Sequence, residues 1–262
     1  MAGLTAKTPS ATYKDLLKVE NSNSGVDDTL RQVESGDGTG SALYIEKNSV
    51  KIQPTVDDVG ALLVKDKDGN RIFGVDTSND LIAAVGHYVN TQYAHFNIGY
   101  NESAVFLINT HHPIPFQSAN YGINSYPPAF GTGTDPATTF TTADSNNQRA
   151  SDLVPVIWRV PDNITIDSVT HIEGADNATG DTTRMHLFSY TFASGSASVL
   201  TSGTVVAHSS DTTNAGDEQA YLKTWTIDSA NIDSGKVILC LFRSDSINSD
   251  FSLNVTVKYH LR

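Results

Sequence analysis

The clearest alternation of apolar and polar positions lies near the end of the chain. There Phe251, Leu253, Val255, Val257, Tyr259 and Leu261 interleave with Ser252, Asn254, Thr256, Lys258 and His260. A period of two puts one set on each face of an extended backbone, which predicts a half-buried antiparallel strand. Similar signals predict strands over 154–160, 164–172, 183–192, 203–207, 220–227 and 236–242, with a turn over 174–181. The continuous apolar run Ala104-Val105-Phe106-Leu107-Ile108 predicts a strand buried on both faces. Seven or eight such strands imply a C-terminal antiparallel β-sandwich, jelly-roll-like in kind, over 86–262.

The first part of the chain is patterned differently. The run Ser41-Ala42-Leu43-Tyr44-Ile45-Glu46-Lys47 is echoed by Gly60-Ala61-Leu62-Leu63-Val64-Lys65-Asp66. The second copy continues into a hairpin, because Asp68-Gly69 tolerates the positive φ angles of a tight turn and sits between Leu62-Leu63-Val64 and Ile72-Phe73. One hairpin is not stable alone in water. Its apolar residues Leu62, Val64, Ile72 and Phe73 need covering, most simply by the same stretch of other chains; a hairpin inside one monomeric sandwich is the alternative. Residues 76–85 carry cap residues followed by helix-tolerant ones, so a short helix or a further strand could form the joint to the C-terminal sandwich.

Residues 1–27 form a small, polar arm in which Tyr13, Leu16, Leu17 and Val19 could anchor against a partner. The runs 16–27, 33–43 and 63–76, including Val33-Glu34-Ser35-Gly36-Asp37-Gly38-Thr39-Gly40 and Lys65-Asp66-Lys67-Asp68-Gly69-Asn70-Arg71-Ile72-Phe73-Gly74-Val75-Asp76, resemble the attachment and shaft segments of tailed-phage fibre and spike proteins. The resemblance implies an all-β homotrimer. Its parts would be a docking arm (1–27) that binds other virion proteins of the capsid or tail, an intertwined β shaft (28–85), and a globular tip. The turns of the C-terminal part carry Asp, Asn, Ser and Thr, suited to hydrogen bonding with a host cell-surface glycan or a neighbouring capsid surface.

Composition narrows the chemistry. Abundant Thr, Ser, Asn, Asp and Gly with few Lys, Glu and Arg disfavours long surface helices. The formal charge of −12 and the absence of a Lys/Arg cluster exclude a sequence-independent nucleic-acid surface. No segment has the ~20 apolar residues of a membrane span, and the first residues lack a Sec-type signal, so no membrane insertion is expected. The single cysteine, Cys240, lies in Val237-Ile238-Leu239-Cys240-Leu241-Phe242 and reads as a buried core thiol.

No constellation marks catalysis, a cofactor or a metal. Asp66-Lys67-Asp68-Gly69-Asn70 has its glycine at the fourth position rather than the sixth of a calcium loop. Gly36-Asp37-Gly38-Thr39-Gly40 lacks the Lys-Ser/Thr that grips phosphate. His111-His112 are adjacent, so in an extended segment they point to opposite sides; only a ring of symmetry-related copies about a threefold axis could ligate a metal. Residues 111–151 are predicted as one long loop whose Phe116, Tyr121, Tyr126, Phe130 and Phe140 either stack on sugars or pin the loop to its own or a neighbouring subunit. The sequence therefore points to a non-enzymatic virion protein, a capsid decoration protein or fibre. A tailspike that degrades host polysaccharide, though the chain lacks the β-helix repeats usual in such enzymes, and a cellular carbohydrate-binding sandwich are the rivals.

Overall fold

A computed structural model describes residues 16–22, 24–84, 87–98, 107–116, 129–131, 139–142, 150–176, 179–195, 200–216, 218–245 and 250–262. The chain divides into two units, one ending at Val89 and the other running Asn90–Arg262. The protein is all-β: among the described residues one short helix, α1 (Ala150–Leu153), interrupts a series of antiparallel strands.

The first unit holds two four-stranded meanders. One orders β1 (Leu17–Val19), β2 (Arg31–Ser35), β3 (Gly40–Ile45) and β4 (Val50–Ile52); the other orders β5 (Leu62–Lys65), β6 (Arg71–Asp76), β7 (Leu81–Ala84) and β8 (His87–Tyr88). Gly38 and Gly69, at φ 87° and 88°, turn the chain between β2 and β3 and between β5 and β6, where a side chain would be strained. The echoed runs are thus the strands β3 and β5 of the two sheets. The stretch after Asp76 resolves as a strand, β7, paired with β6.

The second unit is sandwich-like. A five-stranded sheet orders β17 (Glu218–Thr224), β13 (Ile164–Asp176), β21 (Asp250–Leu261) and β9 (Thr91–Ile98), with β19 (Asn231–Ile232) on β13. An eight-stranded sheet runs β10 (His112–Ile114), β20 (Lys236–Ser244), β14 (Thr182–Thr191), β15 (Gly203–His208) and β11 (Thr139–Phe140). To it β12 (Ile157–Arg159), β16 (Thr212–Thr213) and β18 (Thr226–Ile227) add on β20, β14 and β15. Phe96, Val169, Leu253 and Val255 of the first sheet meet Met185, Leu187, Ile238 and Phe242 of the second in the main core. The other face of the eight-stranded sheet is also buried, with Phe188, Tyr190, Leu239 and Leu241 under Phe130, Leu153, Val156 and Leu200.

Strand β20 carries the consequence in its sequence. Val237, Leu239 and Leu241 point to the outer cover while Ile238, Cys240 and Phe242 point to the inner core, so the run is apolar at every position. Burial pushes the Cys240 thiol pKa well up, as an inert core residue requires.

Four expectations change. Leu107 and Ile108 are not strand, Ile108 standing in a turn; residues 104–106 lie outside the described residues. Of 154–160 only 157–159 is strand, because 150–156 form α1 and its following turn. The turn over 174–181 starts later, since Gly174, Ala175 and Asp176 still pair with β21 and β17. Within 111–151, β10, β11 and the start of α1 are regular structure, because this stretch supplies edge strands and cover to the eight-stranded sheet.

Gly203 opens β15 against the Tyr190 ring, and a Cβ built there would overlap Cε1 and Cζ of that ring. Gly203→Ala is expected to lower unfolding free energy by about 1–3 kcal/mol, the usual cost of overpacking, read from the shift of a urea transition.

Candidate interaction surface

Residues directly opposite in antiparallel register share a face. In the second meander Leu62 faces Val75 and Val64 faces Phe73; Phe73 in turn faces Ala84 and Val75 faces Ile82. Leu62, Val64, Phe73, Val75, Ile82 and Ala84 therefore form one apolar face. None of the six is buried, and Val64 and Ile82 are 48% and 45% exposed. Ile72 falls at the register shift between β5 and β6 and has no residue opposite it; it too is exposed. So three of the four residues expected to be covered by other chains share a face. The fourth stands at the irregularity.

The opposite face is closed at one point. Leu63, Gly74 and Ala83 line up across the strands, and a Cβ on Gly74 would stand 3.1 Å from Leu63 Cδ2 and 2.8 Å from Arg71 Cδ. The missing side chain lets Leu63 and Arg71 fold down, and Ala83 is buried there. Among the described apolar side chains of the whole first unit, only Val33 and Ala83 are buried.

Of the docking residues, Tyr13 lies outside the described residues. Leu16 and Leu17 are exposed, and Val19 lies half-buried opposite Val33. Leu17–Val19 is itself the edge strand β1, tied to β2 by its register and by Lys18 Nζ at 2.9 Å from Glu34 Oε1.

The turns are set by side chains. Asp66 accepts from the backbone N–H of Asp68 and Asn70 at 2.9 and 2.8 Å and from Asn70 Nδ2 at 3.0 Å; the Asn70 side chain foremost holds its carboxyl below the usual range. Asp76 does the same for Ser78, Asn79 and Asn79 Nδ2 at 3.0, 3.0 and 2.9 Å. This is turn chemistry, as Asp and Asn side chains that bond their own backbone favour.

In the second unit the most suggestive polar cluster is internal. Trp225 Nε1 donates to His171 Nδ1 at 2.6 Å, His171 Nε2 lies 3.3 Å from Glu173 Oε2, and Thr183 Oγ1 donates to Glu173 Oε1 at 2.6 Å. An indole N–H only donates, so Nδ1 accepts and the ring proton sits on Nε2, facing the carboxylate. The nitrogen that would serve a nucleophile is thus occupied by an indole. All four side chains are buried, and the chain of contacts joins β13 of one sheet to β14 of the other. It is a polar tie between layers.

Sequence reading missed this tie because of a bulge. Ile164 and Ile166 face the core, the register shifts between Ile166 and Ser168, and thereafter Val169, His171 and Glu173 face inward while Ile172 is 54% exposed. The extra residue, Asp167, accepts from His260 Nδ1 at 2.8 Å. That contact explains why His260, on the polar side of the C-terminal alternation, is buried.

His111 and His112 are enclosed within their own unit, and His112 Nε2 accepts from the Leu107 backbone N–H at 3.1 Å. This overturns the shared metal ring, since neither imidazole reaches the surface. No group of three or more His, Cys, Asp or Glu among the described residues is placed to hold a metal. Phe116 stacks on Trp158 at 5.7 Å, Phe130 is buried and Phe140 lies 5.6 Å from Phe188; these aromatics pin the segment to its own unit. Tyr121 and Tyr126 lie outside the described residues. No described helix is long and apolar enough to cross a membrane.

Neither a scan against protein-family models nor a search of curated proteins finds a match.

Thr183→Val removes one donor from the buried Glu173 carboxylate. It is expected to cost about 1–3 kcal/mol of stability in chemical denaturation while leaving the folded far-UV spectrum unchanged.

Proposed function

We propose that the chain is a non-enzymatic structural protein of a tailed-phage particle, a homotrimeric decoration protein or fibre built on the outside of the virion. The observation that supports this reading is the first unit, whose two thin sheets bury only Val33 and Ala83 among their described apolar side chains and leave the rest half-buried or exposed. A sheet with an apolar face and no layer over it has not completed its burial. The Leu62, Val64, Phe73, Val75, Ile82 and Ala84 face is covered with least new chemistry by the same face of further copies, and three chains close such a shaft. The exposed Leu16 and Leu17, with the arm before them, are the docking element toward other virion proteins. The second unit is the outward tip, a passive contact surface for stabilisation or for a host glycan; its Trp225, His171, Glu173 and Thr183 cluster is buried between the sheets rather than presented in a cleft.

Light scattering of the purified protein at micromolar concentration should return three times the chain mass, and a monomer mass overturns the trimer. Val64→Asp sets a charge on the apolar face and is expected to yield monomers whose second unit remains folded by near-UV circular dichroism. Removal of residues 1–19 should leave trimers that no longer load onto particles; loading by the truncated protein places attachment elsewhere. Release of new reducing ends from host polysaccharide would replace the passive tip with a glycosidase.

A further inference from the structure

Three imidazoles stand in a row on the outer face of the eight-stranded sheet. His186 on β14 and His208 on β15 are opposite in register, their rings stacked at 6.3 Å. His111, from the segment entering β10, comes over His186 at 5.8 Å and against Phe140 of β11 at 4.8 Å. The backbone of His111 exchanges hydrogen bonds with Phe130 and Gly131, both at 2.8 Å, so residues 129–131 travel with it. His111 and His186 are 0% and 1% exposed. Among the described residues, neither ring nitrogen of His111 nor Nδ1 of His186 has a hydrogen-bond partner.

The charged and titratable groups facing this pair come from every element around it. Strand β14 brings Arg184, itself 3.4 Å from Asp211; β20 brings Arg243; the incoming segment brings His112. Strand β15 brings His208, whose Nδ1 meets Asp228 Oδ2 at 2.7 Å. Residues 129–131 and β11 contribute Phe130 and Phe140, which carry no charge. The groups directly beside the two rings are basic, and the carboxylates stand behind Arg184 and His208. A proton placed on either ring would enter a dry seam already surrounded by positive charge.

We propose that the seam between His111, with its strap of residues 129–131, and His186 is an acid-released latch: closed while both rings are neutral, and opened by their protonation to uncover Phe188, Leu239 and Leu241. Burial, then Arg243, holds the His111 pKa down to about 4. Burial, then His111 and Arg184, holds His186 at about 3. Both lie below the ordinary 6.5, so the closed form is fully favoured above pH 6.5 and loses ground as the pH falls toward 4. Relative to a pH at which both rings are neutral in either form, pH 5 favours the open form by about 30-fold for each ring and by about a thousandfold for the two together. The latch lies wholly within the second unit and does not depend on trimerisation.

Hydrogen exchange by mass spectrometry on the full-length protein, corrected for the intrinsic effect of pH, reads the latch directly. Between pH 6.5 and 4.5, peptides covering 107–116 and 139–142 should lose protection while those of β13 and β21 keep theirs. Loss in all peptides together, or in none, overturns the proposal. His186→Phe keeps a ring on Phe188 but takes no proton, and His111→Phe does the same against Phe140. Each should reduce the acid-induced opening at pH 5 by about 30-fold; an unchanged transition in both variants also overturns it.

Discussion

The second unit depends on one requirement: its eight-stranded sheet has no face that water can wet. Strand β20 runs apolar from Val237 to Phe242, alternately into the inner core and the outer cover, so the sheet must be covered twice. The five-stranded sheet supplies one cover and spends its own outer face on solvent, with Asn254, Leu222 and Tyr93 exposed. The other cover comes from segments with little regular structure of their own, around Phe130, Phe140, Leu153 and Leu200. Loop-like composition and deep burial are therefore compatible here, and the histidine at the seam of that cover is buried for the same reason.

The two units meet the demand for burial in different ways. The second closes two layers around a core and adds a polar tie, Trp225 to His171 to Glu173 to Thr183, whose Thr183–Glu173 hydrogen bond spans the gap between sheets. Such a tie favours one relative placement of the layers, because sliding them would leave a carboxylate stranded in an apolar interior. In the first unit none of the six apolar-face residues is buried, and no second layer of described strands of that unit lies on the face. The unit is built of hairpins between neighbouring strands, so its order is local even though its burial is incomplete.

How much was legible depends on how local the signal is. The strands of the C-terminal half stood out wherever alternation was undisturbed, as in Phe251 to Val257, and the hairpin at Asp68-Gly69 was plain from turn chemistry. Strand β9 carried the same alternation, with Ala94, Phe96 and Ile98 inward, yet was overlooked beside the more hydrophobic run after it; its partner β21 lies at the far end of the chain. Two-face burial is seen in β20, whose continuous apolar run has the same signature. His171 and Glu173 could not be placed inside from sequence, because one bulge at Asp167 inverts the phase of everything beyond it. At the apolar face, Leu62, Val64 and Phe73 were named from the hairpin alone, whereas Val75, Ile82 and Ala84 joined them only once a third strand, β7, was paired in register.

The aspartate-anchored turns have a consequence for association. Asp66 and Asp76 each gather two backbone N–H groups and an asparagine amide, so the meander's corners are held by contacts within a few residues of each other. Those hydrogen bonds need no partner chain. Binding that must first order a loop loses affinity to the entropy of ordering it, and here that entropy is already spent in the single chain. The apolar face therefore arrives at any encounter as a preshaped surface, and only the side chains lying upon it remain to be ordered on contact.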